Sequence, residues 1–150
     1  MSYAALVRVG GLKRGETVLV HAGSGGLGVM AVQIARAVGA KVVATVGSNE
    51  KRRVLEGMGV ERVIEYNEEG WEGKVLEATG GNGVDVTFDS VGLVEKSLRC
   101  TKYGGRIVVV GFAGREGRME KVAANRILLK SISVIGYVSV RNNLVHAVPG

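Results

Sequence analysis

The chain has 150 residues, 46% hydrophobic and 23% charged, with 24 glycines, a single proline (Pro149) and a net charge of +6. This is one ordinary domain with enough chain for a sizeable core, and the composition excludes a disordered, collagenous or disulfide-stapled protein. The lone Cys100 leaves no internal disulfide and no multi-cysteine zinc site and fits a reducing, cytoplasmic setting, and no apolar run reaches membrane-spanning length.

Taken in order, "SYAALVRVGGL" reads as a leading helix within residues 1–14 and "TVLVHA" (17–22) as a first strand. Four glycines follow within Gly23–Gly28, and Leu27, Met30, Ala31, Ile34, Ala35 and Val38 then recur at helical spacing until Gly39. "KVVATV" (41–46) predicts a second strand, and Val54, Leu55 and Met58 place a helix over 50–58. "RVIEY" (62–66) predicts a third strand. Trp71, Val75 and Ala78 mark a helix with Glu68 and Glu69 in its first turn and Gly80–Gly81 at its end. "VDVTFDS" (84–90) is a fourth strand, and Leu93–Tyr103 reads as a helix closed by Gly104–Gly105. "RIVVVGF" (106–112) and "SISVIGYVSV" (131–140) complete six strands. The strongest runs are apolar at nearly every position, as in strands covered on both faces. Alternation with helices argues for a doubly wound α/β fold on a six-stranded, mostly parallel sheet. The chain has no internal repeat, linker or low-complexity tract.

Glycine is a poor residue for an element interior, so four at one strand–helix junction need a reason. Gly23, Gly25 and Gly28 spell G-x-G-x-x-G directly after a strand and at the opening of a helix. The first permits a tight turn, the second lets backbone approach a pyrophosphate, and the third lets helix pack close to strand. The anion then meets free N–H groups at a helix N-terminus. The competing reading, a tight turn and nothing more, is weakened by the strand–helix units around it.

The end of the second strand discriminates between cofactors. An NAD site usually carries an acid there for the ribose diol. Here the tip reads "ATVGSNEKRR" (44–53): Val46 and Gly47 carry no acid, Ser48 brings a hydroxyl, and cations follow at Lys51, Arg52 and Arg53. A 2′-phosphate, with roughly two negative charges, would be held by Ser48 and Lys51. Ser48 could also cap the helix beginning at Asn49 or Glu50, which is compatible with phosphate binding. The pattern favours NADPH and counts against a methyltransferase, which needs a carboxylate at this point.

Other chemistry is sparse. The basic residues, Lys13, Arg14, Arg115, Arg118 and Lys121 among them, are scattered without aromatic partners, which favours a solvated surface over a nucleic-acid face. His21 beside the glycines reads as a satisfied structural histidine rather than a base, and His146 lies in the tail. Asp89 ends a strand without a partner acid. None of the four tyrosines opens a Tyr-x-x-x-Lys pair, and two histidines with one cysteine cannot build a catalytic zinc site. No residue is nominated as catalytic or metal-binding.

With these residues in place, the sequence resembles the medium-chain dehydrogenase/reductase superfamily. More narrowly it is similar to the zinc-independent quinone oxidoreductase group that includes zeta-crystallin-type proteins. "GETVLVHAGSGGLGVMAVQIARAVGAKVVATVGSNEK", "VDVTFDSVG", "GGRIVVVGFAG" and "AANRILLKSISVIG" carry the likeness in order over roughly residues 2–138. The resemblance implies that Ser24, Gly25, Gly26 and Leu27 lie along the pyrophosphate, within the cofactor-binding turn that Gly23 and Gly28 complete. It implies that Gly47, Ser48 and Lys51 meet the adenosine ribose and its 2′-phosphate, and that Tyr66 lines the adenosine side. Val91, Gly111 and Phe112 would approach the nicotinamide half, with Tyr137 a further member. The family's activity would be hydride transfer from NADPH to a quinone or an activated alkene. Members resembling this chain pair the last strand, 131–140 here, with its symmetry mate, which implies a homodimer. The family's N-terminal substrate domain has no counterpart in these residues, so the expected division is a coenzyme domain over 1–140 and an unmatched tail over 141–150. The isolated domain would then bind cofactor without turnover. The alternative is a non-catalytic module, either a nucleotide-binding redox sensor or a nucleic-acid partner.

Overall fold

Strands that are apolar on both faces need cover on both faces, and the arrangement of this chain supplies it. The computed structural model describes residues 1–139. Six strands, β1 (Thr17–Val20), β2 (Lys41–Val46), β3 (Arg62–Glu65), β4 (Val84–Asp89), β5 (Thr101–Val109) and β6 (Ser133–Gly136), form one sheet in the order β3-β2-β1-β4-β5-β6. Every neighbouring pair is parallel. The helices are α1 (Gly26–Val38), α2 (Arg52–Glu56), α3 (Trp71–Ala78), α4 (Val94–Ser97) and α5 (Ala124–Leu129), preceded by a π-helical leading turn, Ala4–Val9. The last strand, expected over 131–140, is shorter, Ser133–Gly136, and residues 137–139 are not strand; Val140 and the tail 141–150 lie outside the described residues.

Strand alternation sorts the core into layers. Val18, Val20, Val42, Ala44, Val86, Phe88 and Val108 face the leading helix, α1 and Leu55 of α2. On the other face Leu19, Val43, Ile64 and Val84 pack under Trp71 and Val75 of α3, and Ile107 packs under Val94 and Leu98. Arg106 of β5 ties the leading segment down. Its guanidinium donates to the Gly10 and Gly11 carbonyls at 2.9 and 3.2 Å and meets Glu16 Oε1 at 2.9 Å.

Several expectations need correction. The helix expected over Leu93–Tyr103 stops at Ser97, followed by a 3-10 turn over Leu98–Cys100, and the chain is extended from Thr101, which pairs with Val84. Lys130 Nζ donates to the carbonyls of Leu98, Arg99 and Thr101 and so satisfies the 3-10 turn and the first residue of β5. Gly104 (φ 75°) then breaks the strand register, and Tyr103 lies in β5. The helix expected over 50–58 is a 3-10 turn, Asn49–Lys51, plus α2, and Val54 points to solvent while Leu55 is buried. Glu68 and Glu69 precede α3 rather than occupying its first turn, where Glu72 sits, and Glu68 pairs with Lys74 instead. In α1 the buried residues are Gly28, Ala31, Val32 and Ala35, whereas Leu27 and Met30 are 41% and 52% exposed. Small residues let the helix approach the sheet closely, so the large apolar ones are turned outward.

Candidate functional site

The glycine-rich turn forms where β1 gives way to α1. His21 N–H donates to Phe88 O at 3.0 Å, Gly23 N–H to Thr45 O at 2.9 Å and Gly25 N–H to Ala22 O at 3.0 Å. The left-handed residue of the turn is Ala22 (φ 53°), not one of the glycines. Gly23 is required for space instead, because a Cβ there would lie 3.0 Å from Ala44 Cβ and 3.1 Å from Leu55 Cδ1. On Gly28 a Cβ would fall 2.1 Å from Ala22 O, which is the close helix–strand contact expected of the third glycine. A Cβ on Gly26 would meet nothing within 4 Å. The first bond of α1 runs from Val29 N–H to Gly25 O, and no side chain caps the helix. The N–H groups of Gly26, Leu27 and Gly28 are therefore left without helical acceptors, beside an open approach and at the positive end of the helix dipole. Ser24 lies half-buried between these glycines.

At the tip of β2, Val46 is buried and Gly47 lies against Tyr66, whose Oη would be 2.8 Å from a Cβ at that position. A side chain at residue 47 would therefore require the Tyr66 ring to shift. Tyr66 N–H donates to Val46 O at 3.1 Å, and Asn67 Nδ2 donates to Gly47 O, which pins the tip from β3. Ser48 takes the N-cap position of the 3-10 turn, yet its hydroxyl makes no capping bond. Arg52 is committed elsewhere, to Val63 O at 2.8 Å and Asn49 Oδ1 at 3.1 Å. Lys51 is exposed. The tip thus presents a hydroxyl and an ammonium group and no carboxylate at Val46 or Gly47.

On the far side of β1, Asp89 is fully buried and both its oxygens are consumed by backbone. Oδ1 accepts from Val91 and Gly92 N–H, each at 2.9 Å, and Oδ2 from Leu93 N–H at 2.8 Å. It is a turn-former, not an acid–base group. Beyond it opens a cavity of about 810 Å³ lined by Gly92, Gly111, Phe112, Met119, Glu120 and Tyr137. Phe112 is 65% exposed at its mouth, and Tyr137, just past β6, donates its N–H to Val109 O at 2.9 Å. Val91 is buried beneath Gly114. Glu120 Oε1 and Oε2 accept the Val94 and Glu95 N–H groups at the start of α4, at 3.0 and 2.9 Å. Burial lifts its carboxyl above the usual carboxylate value against the pull of those N–H donors. Sequence reasoning missed Glu120, because nothing in the pattern places it beside a helix start 26 residues earlier.

His21 is fully buried and bonds through both ring nitrogens, Nδ1 with Thr45 Oγ1 and Nε2 with Ser97 Oγ, each at 2.8 Å. Burial holds its pKa below the usual histidine value, against the opposing attraction of the Asp89 carboxylate. Burial likewise pushes the Cys100 thiol up to about 12, so it is neither a nucleophile nor a ready ligand at neutral pH.

The family model for the zinc-binding dehydrogenases matches residues 26–148. The chain belongs to that family. Its relatives and structural neighbours assign it to the quinone oxidoreductase-like group of the medium-chain dehydrogenase/reductase superfamily, as a coenzyme-binding domain. It is 36% identical over 115 residues to a quinone oxidoreductase of Homo sapiens, a match covering 75% of this chain and 35% of the relative. It superposes with a TM-score of 0.80 on the Escherichia coli quinone oxidoreductase complexed with NADPH, at 35% identity, covering 91% of this chain and 42% of that one. A putative enoyl reductase domain of a polyketide synthase superposes with a TM-score of 0.79 at 32% identity, covering 91% of this chain and 74% of that one. The chain spans about a third of the length of the Homo sapiens relative. The metal in the family's description finds no fit here: among the described residues no three His, Cys, Asp or Glu side chains converge, and both His21 nitrogens are already bonded. A nicotinamide dinucleotide does fit, since Gly26 borders open space, Gly28 lets α1 start close against the strand, and no side chain caps the helix N–H groups.

Proposed function

We propose that these residues are the NADPH-binding part of a zinc-independent, quinone reductase-like oxidoreductase, acting in the cytoplasm on a quinone or an activated alkene. The observation that carries this reading is the β2 tip. Gly47 lies under Tyr66, the Ser48 hydroxyl makes no capping bond, Lys51 is exposed, and the acid an NAD site would use is missing from Val46 and Gly47. The bound dinucleotide supplies the hydride. The chain's own residues bind and orient it. The N–H groups of Gly26, Leu27 and Gly28 with Ser24 and Gly25 take the pyrophosphate, Gly47, Ser48, Lys51 and Tyr66 take the adenosine ribose and its phosphate, and Val91, Gly111, Phe112 and Tyr137 border the nicotinamide. The cavity beyond them is lined mostly by apolar side chains and glycines, which suits an uncharged acceptor. No helix among the described residues is long and apolar enough to cross a membrane, and the reading needs neither a membrane nor a nucleic acid.

Titration calorimetry with NADPH and NADH tests the cofactor. Lys51→Ala is expected to weaken NADPH about tenfold, the lower end for a charge-assisted bond because the ammonium group is exposed and screened, while NADH stays unchanged. Equal affinity of the unaltered chain for both cofactors overturns the assignment.

The reading includes a homodimer through the last strand. Among the described residues no strand pairs with the outer edge of β6, and Val134 is 38% exposed, with Leu128 and Leu129 of α5 exposed by 76% and 74%. Light scattering is expected to give twice the 15.7 kDa chain mass, and Val134→Lys to return it to a single chain. A single-chain mass for the unaltered protein removes the dimer.

A further inference from the structure

A continuous path of hydrogen bonds, buried at its centre, joins the glycine turn to the turn after β4, and it passes through His21. Ala22 N–H donates to Thr45 Oγ1 at 3.3 Å, and the Thr45 hydroxyl donates to His21 Nδ1 at 2.8 Å. His21 Nε2–H donates to Ser97 Oγ at 2.8 Å, and the Ser97 hydroxyl donates to Leu93 O at 2.6 Å. The direction is set at the Leu93 end, because a carbonyl only accepts: the Ser97 hydrogen goes there, and Ser97 Oγ therefore accepts from the ring. Each hydroxyl has one hydrogen to give, so the ring is held as one neutral tautomer with its hydrogen on Nε2. His21, Thr45 and Ser97 are fully buried, and Trp71 meets the ring edge-on at 5.1 Å and 87°. Leu93 is held from its other side by Asp89 Oδ2.

We infer that His21 is a positioning residue that fixes the spacing between the glycine turn and the 91–93 turn, so that one dinucleotide meets both at once; this rests on the reading of the groove as an NADPH site. The paired residues of β1 and β4 end at Val20 and Phe88, and one further bond, His21 N–H to Phe88 O, closes the ladder. Beyond it the two strands part into their turns, and the side-chain relay is the cross-link that continues between them. Histidine suits the task because a rigid ring offers one donor and one acceptor on separate sides without a charge. A second ring proton would remove the acceptor that the Thr45 hydroxyl uses, and burial opposes that charge.

Two substitutions divide the ring. His21→Asn places an amide near Nδ1 and keeps the Thr45 link while losing Ser97. His21→Gln reaches towards Nε2 and keeps Ser97 while losing Thr45. Calorimetry on the full chain compares NADPH with 2′-phospho-ADP-ribose, which lacks the nicotinamide. His21→Asn is expected to leave the truncated probe unchanged and to weaken NADPH about tenfold, the loss of one net hydrogen bond's influence on the nicotinamide side. His21→Gln is expected to weaken both probes by the same factor, leaving their ratio at the unaltered value. Should either variant fail to fold, Ser97→Ala must reproduce the Asn pattern and Thr45→Val the Gln pattern. In nitrogen NMR the ring is expected as the Nε2–H tautomer alone. One common factor for both probes in both variants makes His21 merely structural and overturns the inference, as does a predominant Nδ1–H tautomer. If the unaltered chain binds neither probe, the NADPH reading itself fails and takes this inference with it.

Discussion

Mixed with NADPH and a quinone, the 150-residue chain is expected to quench or shift NADPH fluorescence while leaving the rate of NADPH loss at that of buffer. The contacts proposed for the adenosine and pyrophosphate are all on these residues. The nicotinamide side differs: the cavity next to Gly111 opens past Phe112 and Met119, which are 65% and 90% exposed. Holding donor and acceptor in near-attack geometry can supply about 7–11 kcal/mol of a barrier. A half-open wall that leaves the acceptor in water supplies little of it. Absorbance of NADPH with and without the chain measures the outcome. Saturable oxidation that depends on the protein would mean that these residues hold a complete active site.

The second large effect is expected from a single methyl group. Gly28→Ala puts a Cβ 2.1 Å from Ala22 O and 2.7 Å from Gly23 Cα, both backbone atoms that no rotamer change can move. The start of α1 would have to lift off the sheet, and overpacking of this kind is expected to cost at least about 3 kcal/mol, read as a lower urea midpoint. Gly26→Ala is the matched control. Its methyl meets nothing within 4 Å, so stability should hold or rise by up to about 1 kcal/mol, while the group projects into the approach that the pyrophosphate needs. NADPH affinity should fall in both variants. An unchanged midpoint for Gly28→Ala would mean that the close contact is dispensable.

The parts of the fold legible in the sequence are those set by local pattern. Six apolar runs became six strands, and the G-x-G-x-x-G turn lies at the strand–helix junction that its spacing implies. Missed features depend on partners far along the chain. The six-residue α5 was not seen, because Leu128 and Leu129 point to solvent and leave no apolar stripe. α4 was read too long because the turn that follows it is held by Lys130, some thirty residues on, whose ammonium takes the Leu98, Arg99 and Thr101 carbonyls. In the candidate site, His21 was legible as a satisfied histidine, but its partners Thr45 and Ser97 lie 24 and 76 residues away. The occupation of Asp89 by three N–H groups follows from a tight turn whose shape the residues Val91–Leu93 do not announce.

The strand order also bears on how the protein reaches its native state. β1 lies between β2 and β4, so the first three strands can assemble while one flank of β1 has no neighbour. That flank, Val18–Val20, waits until Val86–Phe88 arrives nearly seventy residues later. Closure of so long a loop is slow, and an apolar strand with an unpaired edge is prone to pair with another molecule. A ribosome that has released only the first half of this chain therefore exposes a surface suited to a chaperone. Refolding yield from denaturant should accordingly fall with protein concentration far more steeply than the finished fold, with β1 sealed at its centre, would suggest.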